Sequence, residues 1–313
     1  MAIQITVTGF TGAYAHHNCA QMTHPVGMSE LVHRAITVGG IGRGSPLAKS
    51  YRRSSIANLV LCAVNAAGPQ TPSTNLQTTT LYRSMETSEK SGASFRLGMA
   101  LASIAASRVL DLPALTHGAA TGISGSGRRA DLFGIDKFGA YHVVEAKARS
   151  HGMPYQVLTD GKNQALTTQI HHLPSAATAS VSASDLSGVP ISVHLHDPPI
   201  DGDDPKPVDE AAIRRVFYSP VVELLEVRPP APSGWAAVDQ VATGAWLPGS
   251  TVWIGLRDTT RAALQEPDPP KLLRGDEPLQ VKPTNIDPWL VSESADGHIV
   301  VLGPSPSALE TVV

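Results

Sequence analysis

Cysteine is nearly absent: the 313 residues include Cys19 and Cys62 and no C-x-x-C pair. That leaves no disulfide framework and no cysteine-paired metal or redox motif, and it suits a reducing compartment. Long hydrophobic runs are missing too. No apolar stretch approaches a membrane span, and the first residues lack the basic region and apolar core of a secretory signal. A cytoplasmic protein with no membrane partner is the expectation. Charge of either sign is sparse, with 24 Lys and Arg against 27 Asp and Glu, a net charge of −3 and a pI near 6.4. No global positive field advertises nucleic acid, so any phosphate-binding surface has to be local. There is no internal repeat and no coiled-coil seam. What remains, at 42% hydrophobic residues, is ample chain for one large domain or two ordinary ones.

The most informative stretch runs from Arg128 to Ser150, R-R-A-D-L-F-G-I-D-K-F-G-A-Y-H-V-V-E-A-K-A-R-S. Two apolar runs, Ala130 to Ile135 and Ala140 to Ala148, flank the turn-forming Asp136-Lys137-Phe138-Gly139, which predicts a β-hairpin. Side chains alternate along a strand, so Val143, Glu145 and Lys147 share one face and Val144, Ala146 and Ala148 the other. A strand this apolar is expected to be buried, where a carboxylate beside an ammonium is costly unless both are partnered. Asp131, near the start of the other strand, supplies a second carboxylate. Two carboxylates and a lysine at one point make a hard, oxygen-rich site suited to Mg²⁺ or Mn²⁺.

These residues resemble the motif of the PD-(D/E)XK nuclease superfamily, with Asp131 as the first acid, Glu145-Ala146-Lys147 as the E-x-K, and Ala130 where the naming proline would stand. The resemblance implies an α/β fold with a restriction-endonuclease-like core, a mixed central β-sheet flanked by helices, over residues 85–227. Residues 1–84 would then form an N-terminal accessory region and 228–313 a C-terminal α/β extension. It further implies metal-dependent hydrolysis of phosphodiester bonds, above all in DNA, in restriction or phage defence. Asp131, Glu145 and the Ala146 carbonyl would hold Mg²⁺ or Mn²⁺. Lys147 would position the attacking water or stabilise the transition state, with Glu89 and Gln164 in support and Lys162 next in line. Bland readings stand beside these: Glu89 placed by a helix dipole, Gln164 and Lys162 as solvated helix residues, and the carboxylates and lysine as a structural ion-pair network in a binding protein. An enzyme acting on RNA or a nucleotide is the other alternative, because a small substrate needs only a pocket. Homodimer and partner protein are both left open.

Around the hairpin, helices are expected over Ser88 to Leu110 and within Tyr155 to Leu173, a first core strand between Pro113 and Gly127, and further strands at Ala176 to Ser184 and Val189 to His196. Elsewhere the patterns predict a strand at Ile3 to Val7, helices at Ser54 to Ala67 and Val208 to Val227, a strand at Ser250 to Leu256, a short helix at Thr259 to Gln265, a strand at His298 to Leu302 and an extended loop from Glu266 to Pro288. G-G-I-G-R-G at Gly39 to Gly44 lacks dinucleotide-binding spacing and reads as a turn. His16-His17-x-Cys19 lacks a second ligand pair. His194 and His196 share a strand face, with His171 and His172 as conceivable partners for a metal. Basic residues gather at Lys49, Arg52 and Arg53, and at Arg128, Arg129, Lys147 and Arg149.

Overall fold

The computed structural model describes residues 1–39, 65–69, 75–112, 114–117, 130–136, 138–167, 178–197, 242–246, 252–264, 282–286, 289–293 and 298–302, together with 58, 62, 217, 218, 221 and 222. Its centre is a mixed seven-stranded sheet, in the order β2-β1-β9-β8-β7-β6-β5. These strands are β1 (Ala2–Thr8), β2 (Cys19–Pro25), β5 (Ala114–His117), β6 (Leu132–Ile135), β7 (Tyr141–Arg149), β8 (Thr178–Asp185) and β9 (Ser192–His196). The two-stranded β3 (Ala67–Pro69) and β4 (Leu76–Thr78) form a small sheet of their own, tied to the central one by an Ala2–Asn75 bridge and by the Ile191 N–H, which donates to Leu76 O at 2.8 Å.

The hairpin forms where the sequence predicts it. Strands β6 and β7 pair antiparallel from Leu132 opposite Val144 to Ile135 opposite Tyr141. The turn between them is tied by Asp136, whose Oδ1 accepts the N–H groups of Phe138 and Ala140, both at 2.8 Å. Gly139 takes φ +85°, a conformation that disfavours any residue with a Cβ. From β7 the chain crosses through helix α4 (Tyr155–Thr167) to β8, which lies parallel to β7. Parallel neighbours need such a crossover. Strand β9 then returns antiparallel to β8.

Helices cover both faces. On one lie α1 (Met28–Gly39) and the long α3 (Thr87–Val109), with the short α2 (Thr80–Ser84) before it. All residues of α3 from Leu97 to Ser107 are buried, in keeping with its two apolar sides. Val144, Ala146, Val193, Leu195, Ile3, Ile5 and Val7 meet it in one core. On the other face α4 packs Leu158 on Val181 and Ala183, and Ala165 with Val143 and Ala179. Glycine permits the closest approach on each side. A Cβ at Gly98 of α3 would stand 2.6 Å from the Ala148 Cβ, and one at Gly161 of α4 would stand 2.8 Å from Val181 Cγ1.

Several expectations shift. Residues 1–84, expected outside the core, supply two strands of the central sheet: β1 pairs parallel with β9 and antiparallel with β2. The helix expected through Ala67 gives way to β3 there, and most of that segment lies outside the described residues, as does most of Val208 to Val227. The C-terminal part holds a five-stranded antiparallel sheet, order β10-β11-β14-β13-β12, from β10 (Ala242–Trp246), β11 (Val252–Arg257), β12 (Lys282–Ile286), β13 (Trp289–Glu293) and β14 (His298–Leu302). Helix α5 (Asp258–Ala263) follows β11. The stretch from Glu266 to Pro288, expected as loop throughout, therefore contains β12. Among the described residues no helix is long and apolar enough to cross a membrane.

Candidate active site

Alternation along β7 sets up the site. Val144, Ala146 and Ala148 join the core under α3, while Val143, Glu145 and Lys147 point to the α4 side. Gly161 lets α4 settle close over that face, so a Cβ there would lie 3.6 Å from Glu145 Cγ. One helical turn later Gln164 reaches the same place. Lys147 Nζ donates to Glu145 Oε1 at 2.5 Å and to Gln164 Oε1 at 3.1 Å. Asp131 stands just before β6 and accepts the Ala146 N–H on Oδ2 at 3.0 Å. Asp131, Glu145, Ala146, Lys147 and Gln164 thus come together from three elements. Glu89 does not join them. It is exposed in the first turn of α3, and no hydrogen bond or ion pair among the described residues links it to Asp131, Glu145 or Lys147. Lys162 turns elsewhere, donating to Ala179 O at 2.7 Å and to Asp197 Oδ1 at 3.1 Å.

The electrostatics are those of two carboxylates crowded in a poor dielectric. Glu145 is 1% exposed, and its carboxyl is pushed up to about 7, by burial first and by the Asp131 charge second, against the pull of Lys147. Asp131 is also raised by burial, opposed by the Ala146 N–H, by His117 and by Lys147. The second oxygen of Glu145, Oε2, is buried without a hydrogen bond of good geometry, although the carboxyl also feels the Asp131 backbone N–H and the Asp131 carboxyl beside it. A buried carboxylate oxygen left without a well-placed donor is costly, and a cation is the natural partner for it.

A hard divalent ion fits the donors present. In an extended strand the N–H and C=O of one residue point to the same edge. The Ala146 N–H is turned to Asp131, so its carbonyl faces that edge as well, beyond Leu132 where the β6 ladder ends. Asp131, Glu145 and the Ala146 carbonyl are oxygen ligands that suit Mg²⁺ or Mn²⁺, an ion that keeps several waters and needs only one or two carboxylates. Among the described residues no group of three His, Cys, Asp or Glu is placed to hold a metal. Water would therefore complete the shell.

His117 is a neighbour of the acids that local sequence pattern does not connect to them. It ends β5 opposite Leu132, one residue from Asp131, and the two groups feel each other's charge. Cross-strand register brings it there, which no local spacing reveals. Gly161 did carry a local signal, since a glycine inside a helical pattern points to close packing. Of the basic residues, Lys147 lies in the site and Arg149 is exposed at the end of β7. Lys49, Arg52, Arg53, Arg128 and Arg129 lie outside the described residues, as do His171 and His172. No family model, no curated protein and no solved structure matches this chain.

Proposed function

We propose that this chain is a metal-dependent phosphodiester hydrolase of the PD-(D/E)XK kind, acting on nucleic acid and above all on DNA, with restriction or phage defence in the cytoplasm as its setting. The observation that carries the reading is the convergence of Asp131, Glu145, Lys147 and Gln164 on one point, with Glu145 Oε2 buried there without a hydrogen bond of good geometry. The order of elements supports it: α3, the antiparallel strands β5, β6 and β7, the crossover helix α4 and the parallel strand β8. An upstream helix, an acid-bearing strand, a turn, the E-x-K strand and a downstream helix are what the resemblance leads one to expect.

Each residue has a task that its geometry permits. Asp131 and Glu145 would hold the Mg²⁺ or Mn²⁺, with the Ala146 carbonyl as a third oxygen. Such an ion polarises a scissile phosphate and lowers the pKa of an attacking water. Lys147 offers an ammonium, bonded to Glu145 on one side and Gln164 on the other, that can orient that water or offset the negative charge growing on the phosphate. Gln164 fixes the lysine and leaves its charge undiminished. Burial of the acids keeps bulk water from weakening these interactions.

Cleavage of supercoiled plasmid, linear duplex, single-stranded DNA and RNA in the presence of Mg²⁺ or Mn²⁺ tests the proposal. Cutting is expected with wild type and is expected to fall by about 100-fold or more in Glu145→Ala and Lys147→Ala. Cutting that survives both substitutions would remove these residues from the reaction. Cutting confined to RNA or to mononucleotides would shift the substrate class, which the slight net negative charge of −3 leaves open. If folded protein cuts nothing, calorimetric titration with Mg²⁺ separates an intact ion site from a purely structural ion pair.

A further inference from the structure

A second group of metal-ligating side chains lies on the same face of the sheet as the acids, with β8 between them: Val181 pairs with Glu145 on one side and with His196 on the other. His194 and His196 lie two residues apart on β9 and therefore on one face, while Val193 and Leu195 are buried on the opposite one. Strand β1 runs parallel beside β9, with Thr6 opposite His194 and Thr8 opposite His196. The Thr8 hydroxyl sits between the two rings. Its Oγ1 is 2.7 Å from His194 Nε2 and 2.9 Å from His196 Nδ1.

Two ring nitrogens from different histidines, aimed at one oxygen atom, is an arrangement that alternation alone does not produce. Alternation puts both rings on a face; it does not turn a nitrogen of each toward the same point. All three residues are half-buried, so the point is held by the sheet yet open to solvent. From these observations we infer that His194 and His196 form a binding site for a borderline transition-metal ion of the Zn²⁺, Ni²⁺ or Cu²⁺ class, the ion taking the place of the Thr8 hydroxyl that both rings now address.

The chemistry selects that class. Imidazole suits Zn²⁺, Cu²⁺ and Ni²⁺, whereas Mg²⁺ takes oxygen ligands almost alone. Zinc–nitrogen bonds are about 2.0–2.1 Å long, shorter than the present nitrogen–oxygen distances. The Thr8 hydroxyl would rotate away, the two rings would close on the ion by side-chain rotation, and water would supply further ligands. The nearby positive charge of Lys162 is already offset by Asp197, with which it forms an ion pair at 3.1 Å. With two imidazoles the site falls short of a closed four-ligand structural zinc centre. It would keep open positions for water or for a ligand such as a phosphate.

The site would be tested on tag-free, full-length, metal-stripped protein. With Cu²⁺, electron paramagnetic resonance is expected to show one bound ion per chain with two imidazole nitrogens coupled to it, a readout that needs no variant. With Zn²⁺, competition against a chromophoric chelator is expected to give an affinity that falls at least tenfold in His194→Gln and in His196→Gln, substitutions that retain a hydrogen-bonding group beside Thr8. Circular dichroism would verify that both remain folded. Glu145→Ala is expected to bind Zn²⁺ as wild type does, which separates this site from the acidic one whatever becomes of the nuclease proposal. The inference is overturned if Cu²⁺ shows no two-nitrogen coupling, if the glutamine variants bind Zn²⁺ unchanged, or if the loss follows His16→Ala or His17→Ala instead.

Discussion

Glu145 is the residue in which the conflict between burial and charge is sharpest. Its carboxyl titrates near 7 in the fold, against an ordinary value of 4.5, through burial and then the charge of Asp131. Between those two values the folded chain holds a proton that the unfolded chain has released. Stability therefore falls as pH rises from about 4.5 to about 7 and levels off above. In metal-free protein, the urea midpoint of wild type is expected to fall relative to that of Glu145→Gln between pH 5 and 7 and to run parallel to it at pH 8, a difference that removes the opposite contribution of the half-buried histidines. A midpoint that rises steadily from pH 5 to 8 in wild type, with Glu145→Gln following it, would contradict this account of the residue. A divalent cation competes with the same proton, because it binds the ionised carboxylate. Calorimetry is thus expected to find Mg²⁺ affinity climbing through pH 7, and an affinity equal at pH 6 and pH 8 would argue against Glu145 as a ligand.

At the scale of elements, helix α4 is seated by two devices. The first is the missing Cβ at Gly161, where an alanine would meet Val181 Cγ1 at 2.8 Å. Gly161→Ala would push the helix off the sheet, at a cost of about 1–3 kcal/mol, and would draw Gln164 away from Lys147. Chemical denaturation gives the stability loss, and cleavage assays on the folded fraction give the effect on activity. The second device is the ion pair between Lys162 and Asp197, which are 5% and 6% exposed. Burial lowers the lysine and raises the aspartate, so desolvation works against both charges. Such a pair adds little net stability, yet losing one member leaves an uncompensated buried charge. Lys162→Met alone is expected to cost about 3–5 kcal/mol, and the double variant Lys162→Met with Asp197→Leu considerably less. Equal losses in the two proteins would show that the pair acts through packing alone. The position of α4 was partly legible in the sequence: Leu158 and Ala165 sit at helical spacing and both are buried under the helix. The partner of Lys162 was not, because Asp197 belongs to a strand end far along the chain.

Across the whole molecule the decisive contact is between the first strand and one of the last in the sheet. Ile3, Ile5 and Val7 are 0%, 0% and 1% exposed, and they fill the core under α1 and α3. At about 1.5–3 kcal/mol for each buried aliphatic side chain, their removal takes away an amount comparable with the roughly 5–15 kcal/mol by which domains are stable. A fragment of residues 85–227 is therefore expected to show no cooperative thermal transition by circular dichroism, whereas the full chain melts cooperatively. A cooperative melt of that fragment would show that the core stands without β1. Local patterns in the chain already specify the hairpin with its Asp136 to Gly139 turn, the two long helices, the alternation that puts Glu145 and Lys147 on one face, and the strand at His298 to Leu302. These follow from periods of 2 and 3.6 and from turn chemistry, all of which act within a few residues. The tertiary structure alone decided which strands are neighbours. It joined β1 to β9, so that Thr8 meets His194 across 186 positions, left Glu89 on the surface, and found a strand in the proline-rich stretch before Pro288. Periodicity tells a strand which of its faces is buried and says nothing about the strand beside it. That choice is made by the shared core, where the apolar faces of distant segments are covered together.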